Sequence, residues 1–227
     1  MTISNDSRAR VKRAFEPIAL GMGRLGLTPD ALTLIGFTIT VVGAVLLAQQ
    51  LWLAGGAVIF IGGAFDMFDG TLARATGRVS TLGAFMDSVF DRAGEVIVYL
   101  GLVVGLQELG VLNGTVFAAA AMGSSVLVSY TRSKAEGLGF TSGSRMAAIG
   151  IMPREVRLVI LSAALVLGDV IGINPDSSSC TTCAGALAFP PGALLLFLAL
   201  GIITVGSILT VIQRILHVRQ EARRQST

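Results

Sequence analysis

The stretch 66–91, DMFDGTLARATGRVSTLGAFMDSVFD, places four aspartates, Asp66, Asp69, Asp87 and Asp91, between long apolar runs. Charge at membrane depth is costly, and an isolated carboxylate there tends to be neutralised. The spacing gives the four acids a purpose. Asp66 and Asp69 are three apart and share one helix face, while Asp87 and Asp91 are four apart and share another. The twelve residues between Gly70 and Gly83 let two such helices run antiparallel, so that both acidic faces meet in one cavity. Four acids this close repel one another unless cations compensate them. All-oxygen ligands favour hard ions such as Mg²⁺, Mn²⁺ or Ca²⁺. Two divalent ions bridged by carboxylates, ~3.5–4 Å apart, recur in phosphoryl transfer. Pairing with Arg74, Arg78 and Arg92 would balance the charge. It would not explain why the acids recur at helical spacing beside Gly70, Ala73 and Gly83, small residues that leave room for a flat ligand or close backbone approach.

Around this stretch the chain reads as a membrane protein. Of its 227 residues, 53% are hydrophobic and 14% charged, and its mean hydropathy of +0.77 lies outside the range of soluble domains. Apolar runs at about 31–49, 51–70, 84–106, 112–132, 156–174 and 190–213 approach the roughly 20 residues that cross a ~30 Å hydrocarbon core. The 28 glycines suit close helix packing, and nothing reads as alternating barrel strands. The expected fold is an all-α integral membrane protein: six transmembrane helices plus an N-terminal juxtamembrane amphipathic helix. It forms a single domain over 1–227, with the interfacial helix in 1–28, the six-helix bundle in 29–216 and a basic cytoplasmic tail in 217–227. In the N-terminal segment Val11, Ala14, Phe15, Ile18, Met22 and Leu25 recur at helical spacing among basic residues, which suits a helix lying in the membrane interface. Five basic residues and no continuous apolar core in 1–30 argue against a signal peptide.

Charge distribution sets the topology. All seventeen Lys and Arg fall in the N-terminus, the 71–83 and 133–155 loops, the C-terminus, or the span ends bordering them. The loops near 50, 107–111 and 175–189 receive Glu108, Asp169 and Asp176 and no basic residue. By the positive-inside rule both termini are cytoplasmic. The expected location is therefore the cell inner membrane, multi-pass, with the acids facing the cytoplasm. The pI of about 9.3 reports this orientation; no nucleic-acid partner is expected, because no reading module accompanies the charge. Cys180 and Cys183, in the sequence CTTC, fall in the last external loop. They read as an incidental pair, with or without a disulfide.

The pattern Asp66-x2-Asp69-Gly70-x2-Ala73-Arg74-x8-Gly83-x3-Asp87-x3-Asp91 resembles the complete signature of the CDP-alcohol phosphotransferases. The resemblance implies transfer of a phosphatidyl-type group from a CDP-linked lipid, CDP-diacylglycerol, to an alcohol with release of CMP. It implies that Asp66, Asp69 and Asp87 hold one metal, that Asp66, Asp87 and Asp91 hold the other, and that Asp91 is the general base. Two Mg²⁺ ions are expected, with Mn²⁺ an alternative. Gly70, Ala73, Arg74 and Gly83 belong to the implied CDP-lipid site. The segment LTPDALT, residues 27–33, resembles the family's approach to its first span and adds Asp30 and Thr33; Ser80 occupies a further donor position. A homodimer among membrane lipids is also implied.

The acceptor is read from other segments. SYTRSKAE (129–136), IMPREVR (151–157) and QR (213–214) each place basic residues at the cytoplasmic membrane boundary. If Arg132, Arg154 and Arg214 converge with Ser129 beside the metals, they form an anion pocket. Membrane anchoring alone would also put basic residues there, and Lys134, Arg145 and Arg157 fit that explanation as readily. The pattern is similar to actinobacterial enzymes that use inositol 1-phosphate, and DSVFDR (87–92) resembles that branch and its archaeal relatives. A phosphatidylglycerophosphate synthase or an archaeal-type inositol-phosphate lipid synthase is the near alternative. From other classes, a cation-coupled transporter would be expected to hold its acids nearer mid-membrane, and a non-catalytic scaffold would not need the intact signature.

Overall fold

The computed structural model describes residues 17–108, 112–140, 149–173 and 190–225. Residues 17–24 are helical. Six long helices follow: α1 (Pro29–Ala48), α2 (Trp52–Ala75), α3 (Thr81–Glu108), α4 (Leu112–Gly137), α5 (Arg154–Ile171) and α6 (Pro191–Gln225). Among the described residues there is no strand. Each predicted span overlaps one of these helices.

Four helices, α1, α2, α4 and α6, are long and apolar enough to cross a membrane. The protein is thus a multi-pass helical bundle, but length and apolarity alone account for four spans rather than six. Charge is the reason. Helix α3 carries Asp87, Asp91, Arg92, Glu95 and Glu108, and the 18 residues of α5 include Arg154, Glu155, Arg157 and Asp169. Cys180 and Cys183, Arg145, Asp176 and residues 1–16 lie outside the described residues.

The main packing contacts close a ring in the order α1, α2, α5, α6, α4, α3 and back to α1. One apolar core fills it, with Leu47, Trp52, Tyr99, Leu102, Leu165, Leu196 and Ile203 among its members. Small residues let the helices approach. The carbonyl of Ala44 on α1 lies against Gly101 on α3, so close that any Cβ there would overlap it. Overpacking of this kind costs about 1–3 kcal/mol. Gly101→Val is therefore expected to lower the Tm of detergent-solubilised protein, whereas Gly201→Ala, with nothing within 4 Å of its added methyl, should leave it unchanged. Equal melting of the two variants would overturn this account of the α1–α3 contact.

Local chemistry fixes the helix ends that bear on the site. The Thr28 hydroxyl accepts from Ala31 N–H at 3.2 Å and Pro29 occupies the first turn, so LTPD starts α1. The Ser80 hydroxyl accepts from Gly83 N–H at 2.9 Å and starts α3 in the same way. The turn between α2 and α3 is accordingly short: α2 runs to Ala75 and α3 begins at Thr81. Gly70, Ala73, Arg74 and Gly83, which the sequence placed in or beside a twelve-residue link, are helical. The 17–24 segment packs through Ala19 and Met22 against Leu32, Phe68 and Leu72. Ile18 and Leu25 of the predicted apolar stripe are exposed. The segment therefore turns apolar residues both toward the bundle and outward.

Candidate active site

The α2–α3 turn brings the two acidic faces together, and α5 closes over them. Arg154, the first residue of α5, spans the gap between helices: its Nη2 lies 2.9 Å from Asp66 Oδ2 and its Nη1 2.6 Å from Asp91 Oδ1. Asp69, only 5% exposed, accepts from the Thr33 hydroxyl at 2.6 Å through Oδ2 and from Gly70 N–H through Oδ1. Asp87 is partly buried and lies within electrostatic range of Asp66, Arg154 and Arg92. Arg92 Nη1 stands 3.7 Å from Asp91.

The Thr33 hydroxyl, expected at the CDP-lipid, orients Asp69. Of the counter-charges the sequence offered, Arg92 is in ion-pair contact with the acids, and Arg154, expected at the acceptor, is the second. A formal excess of two negative charges remains, matching a divalent cation.

The donor set fits such an ion. Four carboxylates offer only hard oxygen ligands, and Gly36 on α1 faces Asp66 so closely that a Cβ would come within 2.8 Å of Oδ1. A larger residue there would push that carboxylate aside. Among the described residues no three acids, histidines or cysteines already stand as a cage; Arg154 bridges Asp66 and Asp91.

Residues assigned to the CDP-lipid gather at two places. Around Gly83, a Cβ would meet Ser80 Oγ at 3.0 Å and Asp30 Oδ1 at 3.3 Å. At Gly70, the Arg74 guanidinium folds back to 3.2 Å of where a Cβ would sit, with Ala73 alongside on α2. Arg74, Ser80 and Asp30 are exposed, so both places open outward.

The arginines expected at the acceptor are divided. Arg154 is engaged by the acids. Arg214, 4% exposed, donates from Nε to Ile149 O at 3.1 Å and from Nη1 to Val128 O, next to the partly buried Ser129. Arg132 pairs with Glu136 at 2.8 Å. Arg214 lies within electrostatic range of Arg132, Arg157 and Glu136.

Sequence reasoning missed Glu95. It follows Asp91 by four residues and continues the face of Asp87 and Asp91, which is the signal that could have found it. Its carboxylate takes a forked pair of bonds from Arg157, at 2.7 and 2.9 Å. Gly36 was missed as well, since a lone glycine in an apolar run points to no partner.

Comparison with known proteins gives the family. The sequence profile described as CDP-alcohol phosphatidyltransferase matches residues 26–218. The chain is 36% identical to the archaetidylinositol phosphate synthase of Pyrococcus horikoshii over 167 residues, covering 73% of this chain and 84% of that one. It is 31% identical to the phosphatidylinositol phosphate synthase of Streptomyces avermitilis over 220 residues, 95% of this chain and 82% of that one. Among solved structures it resembles the phosphatidylinositol phosphate synthase of Mycobacterium tuberculosis with CDP-DAG bound. That match has a TM-score of 0.71 and 28% identity, over 91% of this chain and 94% of that one. The same enzyme in complex with manganese and citrate gives a TM-score of 0.71 at 27% identity, over 90% and 88%. The chain is thus a transferase, and it belongs to the CDP-alcohol phosphatidyltransferase family.

Proposed function

We propose that the protein transfers a phosphatidyl group from CDP-diacylglycerol to a hydroxyl of a phosphorylated polyol, inositol 1-phosphate, giving phosphatidylinositol phosphate and CMP. The observation that carries this is the convergence of Asp66, Asp69, Asp87 and Asp91 from two helices, with Arg154 of a third among them. Asp66, Asp69 and Asp87 would hold one divalent ion and Asp66, Asp87 and Asp91 a second, Mg²⁺ or Mn²⁺. Bound there, the ions supply charge neutralisation at the diphosphate and at the departing CMP. The manganese complex of the mycobacterial relative supports a divalent cation.

The chain's own residues do the rest. Asp91 accepts the proton of the acceptor hydroxyl as its oxygen attacks the phosphatidyl phosphorus and the bond to CMP breaks. A positioned carboxylate base contributes ~10²–10⁴-fold. Gly70, Ala73 and Gly83 keep space for the nucleotide, Arg74 offers a fork to phosphate oxygens, and Asp30, Thr33 and Ser80 contact the donor. Arg132, Arg154, Arg214 and Ser129 receive the acceptor phosphate.

The relatives' names share the inositol phosphate and differ in the lipid, so the donor tail is the open choice between a diacyl and an archaeal-type lipid. Purified protein with Mg²⁺ should be offered both donors against inositol 1-phosphate, glycerol 3-phosphate, inositol, serine and glycerol, with CMP measured and products identified by mass. Inositol 1-phosphate is the expected acceptor. Preference for glycerol 3-phosphate would remove the inositol assignment.

The same reading places six spans in the inner membrane, both termini and the acids on the cytoplasmic side, and two chains in a homodimer. In intact cells Cys180 and Cys183 should then react with an impermeant thiol reagent after reduction. Labelling only after lysis would overturn the six-span arrangement.

A further inference from the structure

The start of α5 decides where Arg154 stands, yet no side-chain cap secures it. Its N-cap is Pro153, which makes no capping bond. The chain is held one residue earlier, at the buried Met152. Its N–H donates to Thr210 Oγ1 on α6 at 3.1 Å, and its carbonyl accepts from Arg157 Nη1 at 2.9 Å. Arg157, 2% exposed, is itself fixed by the fork to both oxygens of Glu95 on α3. Glu95 stands one turn beyond Asp91, and Asp91 contacts Arg154. These contacts form a closed circuit: α3 carries Glu95, which holds Arg157, which holds the Met152 carbonyl, which sets Arg154 back over Asp91 of α3.

A buried ion pair is weak evidence for stability, because desolvation offsets much of its attraction. What the forked geometry does provide is a fixed angle and register between α3 and α5. We infer that Glu95 and Arg157 are a positioning pair that aims Arg154 for the acceptor phosphate. They touch neither donor nor acceptor; they act through the Met152–Pro153 peptide. The inference rests on the proposed role of Arg154 in acceptor binding.

Kinetics of Arg157→Lys and Glu95→Gln test it, with Arg154→Gln as reference. Lysine keeps the charge but loses the fork, and glutamine keeps the shape but loses the charge. Each should raise the acceptor KM roughly tenfold, the value of one charge-assisted contact, with the CDP-diacylglycerol KM close to wild type; Glu95→Gln leaves the buried Arg157 charge uncompensated and lowers Tm in addition. Thr210→Val removes the other hold on Met152 without touching the ion pair. It carries the same expectation and decides the matter if the pair variants do not fold. Donor and acceptor KM rising together with a fall in Tm would make the pair merely structural and overturn the inference. If Arg154→Gln weakens the acceptor but none of the three other variants does, the inference alone fails. If Arg154→Gln leaves the acceptor KM unchanged, the reading of the pocket fails and takes the inference with it.

Discussion

Alanine at Asp66, Asp69 or Asp87 is expected to lower kcat/KM by at least about a thousandfold, ~4 kcal/mol of transition-state stabilisation. The electrostatics of the cluster set this scale. Four carboxylates meet two arginines, and the uncompensated charge is what would draw in divalent ions to meet a diphosphate. Loss of one acid removes a ligand and also lowers the attraction felt by every cation at the site. Folding should survive. Thr33, which now bonds Asp69 at 2.6 Å, also lies 3.2 Å from Pro29 O and keeps that acceptor in Asp69→Ala. Asp66→Ala only enlarges the space beside Gly36. Chelation of the wild-type protein should abolish CMP release, and Mg²⁺ or Mn²⁺ should restore it. Full activity in any of the three variants, or activity indifferent to chelator, would sink the metal assignment.

The acids were legible because helical periodicity is a local property. Spacings of three and four place Asp66 with Asp69 and Asp87 with Asp91 whatever surrounds them. Hydropathy located all the helices for the same reason. It undercounted the charge that α3 and α5 tolerate, because the partners that shelter it lie on other helices. Helix order in the ring is not chain order: α2 meets α5, and α4 meets α6. Glu95 and Arg157 are 62 residues apart, and nothing in either segment names the other. Arg157 fits membrane anchoring as readily as an anion pocket, because basic residues at a cytoplasmic boundary need no further cause. The α2–α3 link is shorter than the twelve residues between Gly70 and Gly83, because both glycines are small positions inside helices, beside the guanidinium of Arg74 and the side chains of Ser80 and Asp30.

Acceptor recognition gives the second large expected effect, and in the proposed pocket Arg214 and Arg154 would contribute to it differently. A phosphate dianion needs several cationic donors to offset its lost hydration. Arg214 already spends two bonds on the carbonyls of Val128 and Ile149, which hold its guanidinium in place near Arg132. Such a preset cation loses little freedom when an anion arrives. Arg214→Gln should therefore raise the acceptor KM by roughly 10–150-fold, corresponding to ~1.5–3 kcal/mol for a charge-assisted contact, while the donor KM stays near wild type. Arg154 also offsets Asp66 and Asp91, so Arg154→Gln should raise the acceptor KM on the same scale and alter the divalent-ion concentration needed for half-maximal rate as well. Arg214→Gln should leave that metal requirement unchanged. Wild-type protein should also prefer inositol 1-phosphate over free inositol, since inositol lacks the anion these arginines await. Equal use of the two, or a selective loss of donor affinity in either variant, would refute the phosphate pocket and leave Arg154 as a counter-charge to the acids alone.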